Sequence, residues 1–324
     1  MAKQMISDMK EGDIVSTCLQ IEEGQLYSFR NKPGKYALFT FSDRAGSIKG
    51  VCWERGEKYY SEVADGEIVY VSGRVVLYNG TLQINVENMS RAGETDYDPA
   101  DFLPVTVLDV DELYSYLLKR VEGLRNPYLR RLAEGFFHDP DFESVFKRAP
   151  AAKSIHHSYL GGLVEHTANC VKLAVTLCDI YPQLDRDILL AGVMLHDIGK
   201  TVELSFDAKL DYTDRGRLLG HIVLGQNIVL DRIRAIDGFP ENLANEILHM
   251  IVSHHGEGET GSPKRPATAE ACALHFLENL DAQTKRFLQI IEDGSKVRKD
   301  GGSWTSYDRL LERHLYRRPT DEEE

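Results

Sequence analysis

A chain of 324 residues with a formal net charge of −13, 42% hydrophobic and 27% charged residues has the make-up of an ordinary globular protein long enough for two domains. That balance excludes binding to nucleic acid by bulk electrostatics. With no run near the ~18 apolar residues of a membrane helix, and no apolar core behind MAKQMISDMKEGD, the expectation is a cytoplasmic protein with no membrane association. The charge is uneven, since residues 1–93 hold 11 Lys and Arg against 12 Asp and Glu and the remainder carries about −12. A local basic face in the first part and an acidic, metal-binding cluster in the second are both compatible with this. The cysteines Cys18, Cys52, Cys170, Cys178 and Cys272 are odd in number, lie in apolar segments and form no CxxC pair, so they read as reduced core residues.

From Asp13 to about Arg91 the pattern is β: DIVSTCLQIEE, GQLYSFR, KYALFTFSD, GSIKGVCW, EIVYVSGRVVLYNG and TLQINVENM, rich in Val, Ile, Tyr and Phe and punctuated by Gly, Asn and Asp. Asn79-Gly80 between two such runs signals a tight hairpin. A more helical stretch lies between Trp53 and Gly66. Three strands, a short helix and a closing hairpin is the order of a five-stranded OB barrel, and the spacing resembles nucleic-acid-binding OB domains. Tyr27, Phe29, Phe39, Phe41, Trp53 and Tyr78 then either fill a small barrel or, with Arg30, Lys32, Lys35, Lys49 and Arg74, make a stacking platform for single-stranded nucleic acid. Tyr27, Phe29, Phe39 and Arg74 are the candidate strand-binding residues.

Ala92 to Pro104 turns acidic and Pro-bearing, as a linker does. The predicted division is a barrel over 1–92, a linker over 93–108 and a helical domain over 109–324. The fold class is multi-domain α+β: an N-terminal five-stranded OB-type barrel followed by an all-α bundle. Helices are predicted over 110–124 and 127–138 with Asp111 and Asn126 as N-caps, over 159–178 after a break at Pro150 to Ser154, and then over about 185–198, 217–235, 241–254, 268–292 and 304–315. The closing DEEE reads as a solvated tail.

Within the helical part LLAGVMLHDIGK (189–200) ends an apolar run on His196-Asp197. Burying an imidazole and a carboxylate there is costly unless something pairs with them, and a metal ion would. Further candidate ligands recur at His166, His221, His254, His255 and Asp281, each in or beside an apolar periodic segment, whereas His138, His249, His275 and His314 read as structural. Imidazoles and carboxylates suit Mn, Fe, Zn, Co or Ni, and the near absence of thiols disfavours structural zinc. Ligands from several helices around a bundle interior are a recurrent way to build such a site.

GGLVEHT (161–167), LLAGVMLHDIGK (189–200), GH (220–221), SHHG (253–256) and NLDA (279–282) resemble the successive motifs of HD-domain metal phosphohydrolases. The extra His and the His pair resemble the two-metal branch that includes cyclic-dinucleotide phosphodiesterases. A barrel placed before such a domain, with HHSYLGGLVEHT and GSPKRPATAEACALHFLENLDA in it, is similar to the bacterial YhaM-type 3′-to-5′ exoribonucleases. The resemblance implies that His166, His196, Asp197 and Asp281 hold one metal and that Asp197 bridges to a second, held by His221 and one or both of His254 and His255. Two divalent ions are expected, Mn²⁺ ahead of Fe²⁺, Co²⁺, Ni²⁺, Zn²⁺ and Mg²⁺. Asp197 and Lys200 are the candidate catalytic residues. Lys200, one turn beyond His196, would meet a phosphate oxygen, or else be a lysine that suits a helix C-terminus. Lys264 and Arg265 would grip a backbone phosphate, and His156 and His157 would line the same entrance or merely cap and pack.

The implied activity is a metal-dependent 3′-to-5′ exonuclease acting on single-stranded RNA, with single-stranded DNA as a second substrate, the barrel holding the strand. The resemblance also leans toward a homo-oligomer. One alternative is a phosphohydrolase of small nucleotides or cyclic dinucleotides. Another is a non-catalytic nucleic-acid-binding protein whose helical domain senses a ligand, against which the full ligand set weighs.

Overall fold

A computed structural model describes residues 4–93, 95–153, 157–207, 209–256, 258, 261–292, 303–309 and 311–318; His156 and the closing DEEE lie outside them. The chain forms two compact units, residues 1–105 with 205–211, and residues 106–204 with 212–324.

The first unit is a closed barrel in the order β1-β2-β3-β5-β4. Its strands are β1 (Ile14–Ser28), β2 (Lys35–Asp43), β3 (Gly46–Cys52), β4 (Ile68–Tyr78) and β5 (Thr81–Arg91), with α1 (Gly56–Glu62) between β3 and β4. The two β runs predicted before Arg30 are one strand. A register shift between Ile21 and Glu23 bends β1, so its first half pairs with β4 and its second half with β2. Gln20 sits at the changeover, opposite Ser42 on one side and Ile68 on the other. Parallel pairing of β3 with β5 closes the barrel. Asn79 and Gly80 both take positive φ, 48° and 80°, as a two-residue hairpin turn requires.

Alternation along the strands turns Val15, Leu19, Ile21, Phe39, Phe41, Val71, Val75 and Ile84 into one core. Phe39 belongs there, 1% exposed and stacked 5.7 Å from Phe41, and therefore has no face to offer a nucleobase. Its expected role in strand binding is corrected by the pleat: Phe39 shares a face of β2 with Ala37 and Phe41, and that face points inward.

The second unit is helical: α2 (Val110–Glu122), α3 (Pro127–Phe137), α4 (Pro140–Arg148), α5 (Gly162–Ile180), α6 (Arg186–Leu195), α7 (Lys200–Glu203), α8 (Asp214–Arg234), α9 (Glu241–Ser253) and α10 (Ala269–Glu292). Asp109, not Asp111, caps α2 by accepting from the Asp111 and Glu112 N–H groups, while Asn126 caps α3 as expected. Three elements went unanticipated: α4, capped by Asp139, the single-turn α7, and the short hairpin β6 (Leu204–Phe206) and β7 (Leu210–Tyr212). The described residues 303–309 and 311–318 do not form the predicted helix. Thr305 N–H donates to the Leu315 carbonyl at 2.9 Å and Arg317 N–H to the Ser303 carbonyl at 2.7 Å, a looped return that sets Leu311 and Leu315 against Ile290 of α10. α5 is buried along most of its length and packs against α2, α4, α6 and α10, while α6 packs against α3, α9 and α10. Among the described residues no helix is long and apolar enough to cross a membrane.

Two measurements check this packing. Phe39→Ala should cost about 3–5 kcal/mol in chemical denaturation, whereas a loss of about 0.5 kcal/mol or less, the surface range, would contradict its place in the core. The second concerns Asp139, which accepts from Arg232 Nη2 at 2.9 Å. That hydrogen bond, joined by those from the helix N–H groups, outweighs burial and holds Asp139 below its ordinary 3.8. A depressed carboxyl pKa contributes stability that is complete above pH 3.8 and fades as pH falls through the lowered value. Arg232→Gln should bring the Asp139 titration, read by carboxyl NMR, back toward 3.8; an unmoved titration would assign the depression elsewhere.

Candidate metal centre

The site begins at the end of α6. Asp185 caps that helix at the Asp187 and Ile188 N–H groups, and every side chain from Leu189 to Leu195 is buried. The chain then turns before α7, so His196 and Asp197 leave the apolar helix inside the protein, 0% and 1% exposed. His166 comes from the second turn of α5 and is 0% exposed. His221 follows Gly220, whose φ of 70° and ψ of 157° break α8 locally. His254 and His255 follow the last residue of α9.

Four imidazoles converge on Asp197. His166 Nε2 lies 3.7 Å and His196 Nε2 3.3 Å from its Oδ2. His221 Nε2 and His254 Nε2 each lie 3.6 Å from its Oδ1. Each carboxylate oxygen thus faces two rings. The same four rings are held from behind by Nδ1. His196 and His254 donate to the carbonyls of Val193 and Ile251, both at 2.7 Å. His166 donates to Asp281 Oδ2 at 2.7 Å, and His221 to Glu203 Oε1 at 3.2 Å, an oxygen that also takes the His221 backbone N–H at 2.9 Å.

With Nδ1 protonated, a neutral ring presents a lone pair at Nε2. Among the described residues His196 Nε2, His221 Nε2, His254 Nε2 and Asp197 Oδ1 are buried without a hydrogen-bond partner. Lone pairs facing a carboxylate repel it unless a cation, proton or metal ion, lies between. Burial drives His254 well below the ordinary imidazole value, so that ring is neutral. Burial alone would raise Asp197, but the Lys200 ammonium and His196 outweigh it and hold the carboxyl well down. An ionised carboxylate, with two oxygens to share, facing imidazole nitrogens on both sides fits a divalent metal. The ligand atoms of His166, His196 and Asp197 all lie within 4.8 Å of one another, as do those of His221, His254 and His255.

Other expected site residues fall differently. Asp281 does not join His196 and Asp197; it forms a separate group with His157 and His166. Its Oδ2 is taken by His166 Nδ1 and, at 2.9 Å, by His157 Nε2, and its Oδ1 by Asn169 Nδ2 at 3.1 Å. It therefore meets His166 at the ring nitrogen opposite the one that faces Asp197, in a group whose donor atoms could also hold an ion. Lys200 is 6% exposed with Nζ 2.7 Å from Asp197 Oδ2, where the carboxylate overcomes burial and keeps the ammonium charged. Lys264 and Arg265 are exposed in the loop after the His pair. His255 is half-buried, its ring centre 5.1 Å from that of His221. His275 and His249 are structural as expected, against the His254 carbonyl and the Ala267 N–H.

Sequence reasoning missed Glu203 and Glu278, both buried carboxylates. The charge of Glu278 adds to that of Asp197 in raising both His196 and Lys200. Glu278 is an acidic residue on an otherwise apolar inner face of α10, which was the available signal; Glu203 shares the buried face of α7 with Lys200 and left none.

On the barrel, an aromatic cluster joins the ends of three strands. Tyr27 stacks 5.6 Å from Tyr36, Phe29 lies 5.2 Å from Tyr36 and 6.3 Å from Trp53, and Tyr36 lies 4.9 Å from Trp53. Lys32 sits 4.1 Å over Phe29, and Tyr27 and Trp53 are 41% and 47% exposed. Tyr36, at the centre, was not among the predicted aromatics. Arg74 is exposed on β4 and donates to the Gly12 carbonyl at 3.2 Å, apart from these ring contacts.

Comparison with known proteins places these features in one family. Residues 163–283 match the HD domain, and residues 21–91 match an OB-fold nucleic acid binding domain. The chain is 34% identical over 289 residues to the 3′-5′ exoribonuclease YhaM of Bacillus velezensis, covering 88% of each chain. It is 33% identical, over the same share of both chains, to the 3′-5′ exoribonuclease YhaM of Bacillus subtilis. A barrel and an HD centre matched together along nearly the whole length leave one conclusion: the chain belongs to the YhaM family of OB-fold and HD-domain proteins.

Proposed function

We propose that the protein is a metal-dependent phosphodiesterase that shortens single-stranded RNA from its 3′ end, and accepts single-stranded DNA as a second substrate. The observation that carries the chemistry is the placement of two imidazole Nε2 atoms at each oxygen of Asp197. In this reading His166, His196 and Asp197 hold one divalent ion, and Asp197, His221 and His254 hold another with His255 at its edge. Mn²⁺ suits these donors best, with Fe²⁺, Co²⁺, Ni²⁺, Zn²⁺ and Mg²⁺ as alternatives. Bound ions supply Lewis-acid activation of water and of the phosphoryl group.

The chain's own groups do the rest. Nδ1 hydrogen bonds fix the tautomer and aim of all four rings, so the donors need not reorganise when the ions arrive. Lys200 has three protons, and its contact with Asp197 uses one. Sharing the ammonium between Asp197 and a phosphate oxygen would offset charge as it develops in the transition state. Lys264 and Arg265 are exposed cations on the loop after the His pair, suited to a backbone phosphate.

The polymer preference rests on the barrel. Exposed aromatic faces bind successive bases without regard to sequence, and Lys32 beside Phe29 adds a cation for the backbone. The strand-binding set is therefore Tyr27, Phe29, Tyr36 and Trp53, and the strands-2-and-3 side of an OB barrel is where such ligands sit. The two exoribonucleases to which the chain is similar support the same direction of cutting.

Incubation of the protein with Mn²⁺ and 5′-labelled single-stranded RNA should yield a ladder of stepwise shortened products. Hydrolysis confined to mononucleotides or cyclic dinucleotides would refute the polymer assignment. Trp53→Ala should raise KM for a long strand, since stacking on an aromatic contributes about 1–3 kcal/mol per base, and leave kcat nearly unchanged; an equal loss in kcat would place Trp53 elsewhere in the reaction. For the metals, Mn²⁺ at about 100 times its Kd should stabilise the wild type by roughly 2.7 kcal/mol, with chelator reversing the gain. Asp197→Ala should lose both this thermal shift and turnover, and a variant retaining either would overturn the centre.

A further inference from the structure

The stretches SWTSYDR (303–309) and LERHLYRR (311–318) take no part in the metal centre, yet their make-up is unlike that of the whole chain. They hold one of the two tryptophans, two tyrosines and four arginines against two acids, in a protein whose net charge is −13.

The inner side of this looped return sets its fold. Leu311 and Leu315 pack on Ile290 of α10, and the buried Thr305 takes the Leu315 N–H on its hydroxyl at 2.9 Å. Asp308 accepts from Arg286 Nη2 of α10 at 2.8 Å and from the Leu311 N–H at 2.9 Å. Trp304 bridges to Tyr316 and Asp308 to Arg313, so the two runs lie antiparallel, side by side. Successive side chains on such a run point to opposite sides. With Thr305 and Leu315 turned inward, Trp304 and Tyr316 are turned out.

Those two rings are 48% and 52% exposed with centres 5.3 Å apart, and Tyr307, 53% exposed, meets the ring of His314 at 5.4 Å. The leucines, Thr305 and the pair of Asp308 with Arg286 already fix the segment, so its own packing does not account for the outward rings. Arg309, Arg313 and Arg318 are exposed as well, and no carboxylate among the described residues pairs with them. Arg286 offsets Asp308, which leaves Glu312 as the remaining acid of the segment.

Exposed rings interleaved with unpaired guanidinium groups match a single nucleic acid strand: rings take base faces whatever the base, and a guanidinium takes a phosphate through two N–H groups. A net charge of −13 opposes a polyanion, so contacts of this kind have to be concentrated locally. A second copy of the chain fits less well. It would set these arginines against one another with Glu312 alone to offset them.

We propose that Trp304, Tyr307 and Tyr316 with Arg309, Arg313 and Arg318 form a second single-strand binding surface, on the helical unit and apart in sequence from the rings of the barrel. α10 carries both Asp281 and Ile290, about 14 Å apart at about 1.5 Å per residue. The surface is thus fastened to the helix whose Asp281 meets His166, and a strand held there is held by the unit that carries the metal centre. It rests on the polymer reading above for its ligand, and its binding step needs no metal.

The test is the fluorescence anisotropy of a labelled single-stranded RNA oligonucleotide with the full chain in chelator, which reads binding without turnover. Trp304→Ala should weaken binding about 5–150-fold, the loss of one stacked base, and Trp304→Phe, which keeps a ring, should recover most of it. Replacing Arg309, Arg313 and Arg318 together by Gln should weaken binding and lower the slope of log Kd against log salt by about 2, at about 0.7 per phosphate contact on a single strand. Circular dichroism and Tm report folding; should Trp304→Ala not fold, the arginine variant, which leaves the buried leucines untouched, decides. Folded variants with wild-type affinity and salt slope overturn the surface and leave the polymer reading standing. So does a wild-type oligomer that Trp304→Ala dissociates in sedimentation with RNA binding unchanged, which would make this face an interface between copies. A wild-type chain that binds no RNA overturns the polymer reading and this surface together.

Discussion

Asp197 is a carboxylate at 1% exposure, and the helical unit is arranged around the need to keep it charged there. An isolated buried carboxylate would take up a proton. Here the Lys200 ammonium at 2.7 Å and four imidazole Nε2 atoms at 3.3 to 3.7 Å surround both oxygens. No single helix could bring these groups together. α5 supplies His166, the end of α6 supplies His196 and Asp197 itself, the kink in α8 supplies His221, and the end of α9 supplies His254. Three of the five therefore sit at helix ends, where the backbone stops spending its polar groups on the helix and a side chain can aim along the axis.

The support behind the four rings is not uniform. Backbone carbonyls hold His196 and His254, and carboxylates hold His166 and His221. A carboxylate partner raises the basicity of the imidazole it holds and strengthens it as a ligand. Each side of Asp197 receives one ring of each kind. Asp281 and Glu203 thus each hold one ring by its Nδ1, and His157 shares Asp281 with His166.

Some features were legible in the sequence because they are local. The alternation that makes barrel strands, the Asn79-Gly80 turn, the apolar run into His196-Asp197 and the spacing of the remaining histidines all leave a trace within a few residues. The misreadings share a cause, since they concern direction rather than identity. Phe39 and Tyr27 are both aromatic residues in β runs, and pleat and register alone send one inward and the other to the surface. Glycine and charge between Ile21 and Gln25 looked like the end of a strand and are instead a bulge that bends one. The leucines at 311 and 315 have helical spacing, yet a looped segment brings both to α10.

What the sequence by itself determined was the inventory: a small β barrel, a helical bundle, and a set of imidazoles and carboxylates that need a cation once buried. Those follow from periodicity and from the cost of burying polar groups, which depend on residue type and near neighbours. The tertiary structure alone decided which rings each carboxylate meets and by which nitrogen. Asp197 and Asp281 are the same side chain, and both were expected to bind metal. Only the packing of α5 against α6 and α10 puts His166 between them, with Nε2 toward one and Nδ1 toward the other, because a ring has two nitrogens on different edges and the sequence cannot say which edge a neighbour will meet.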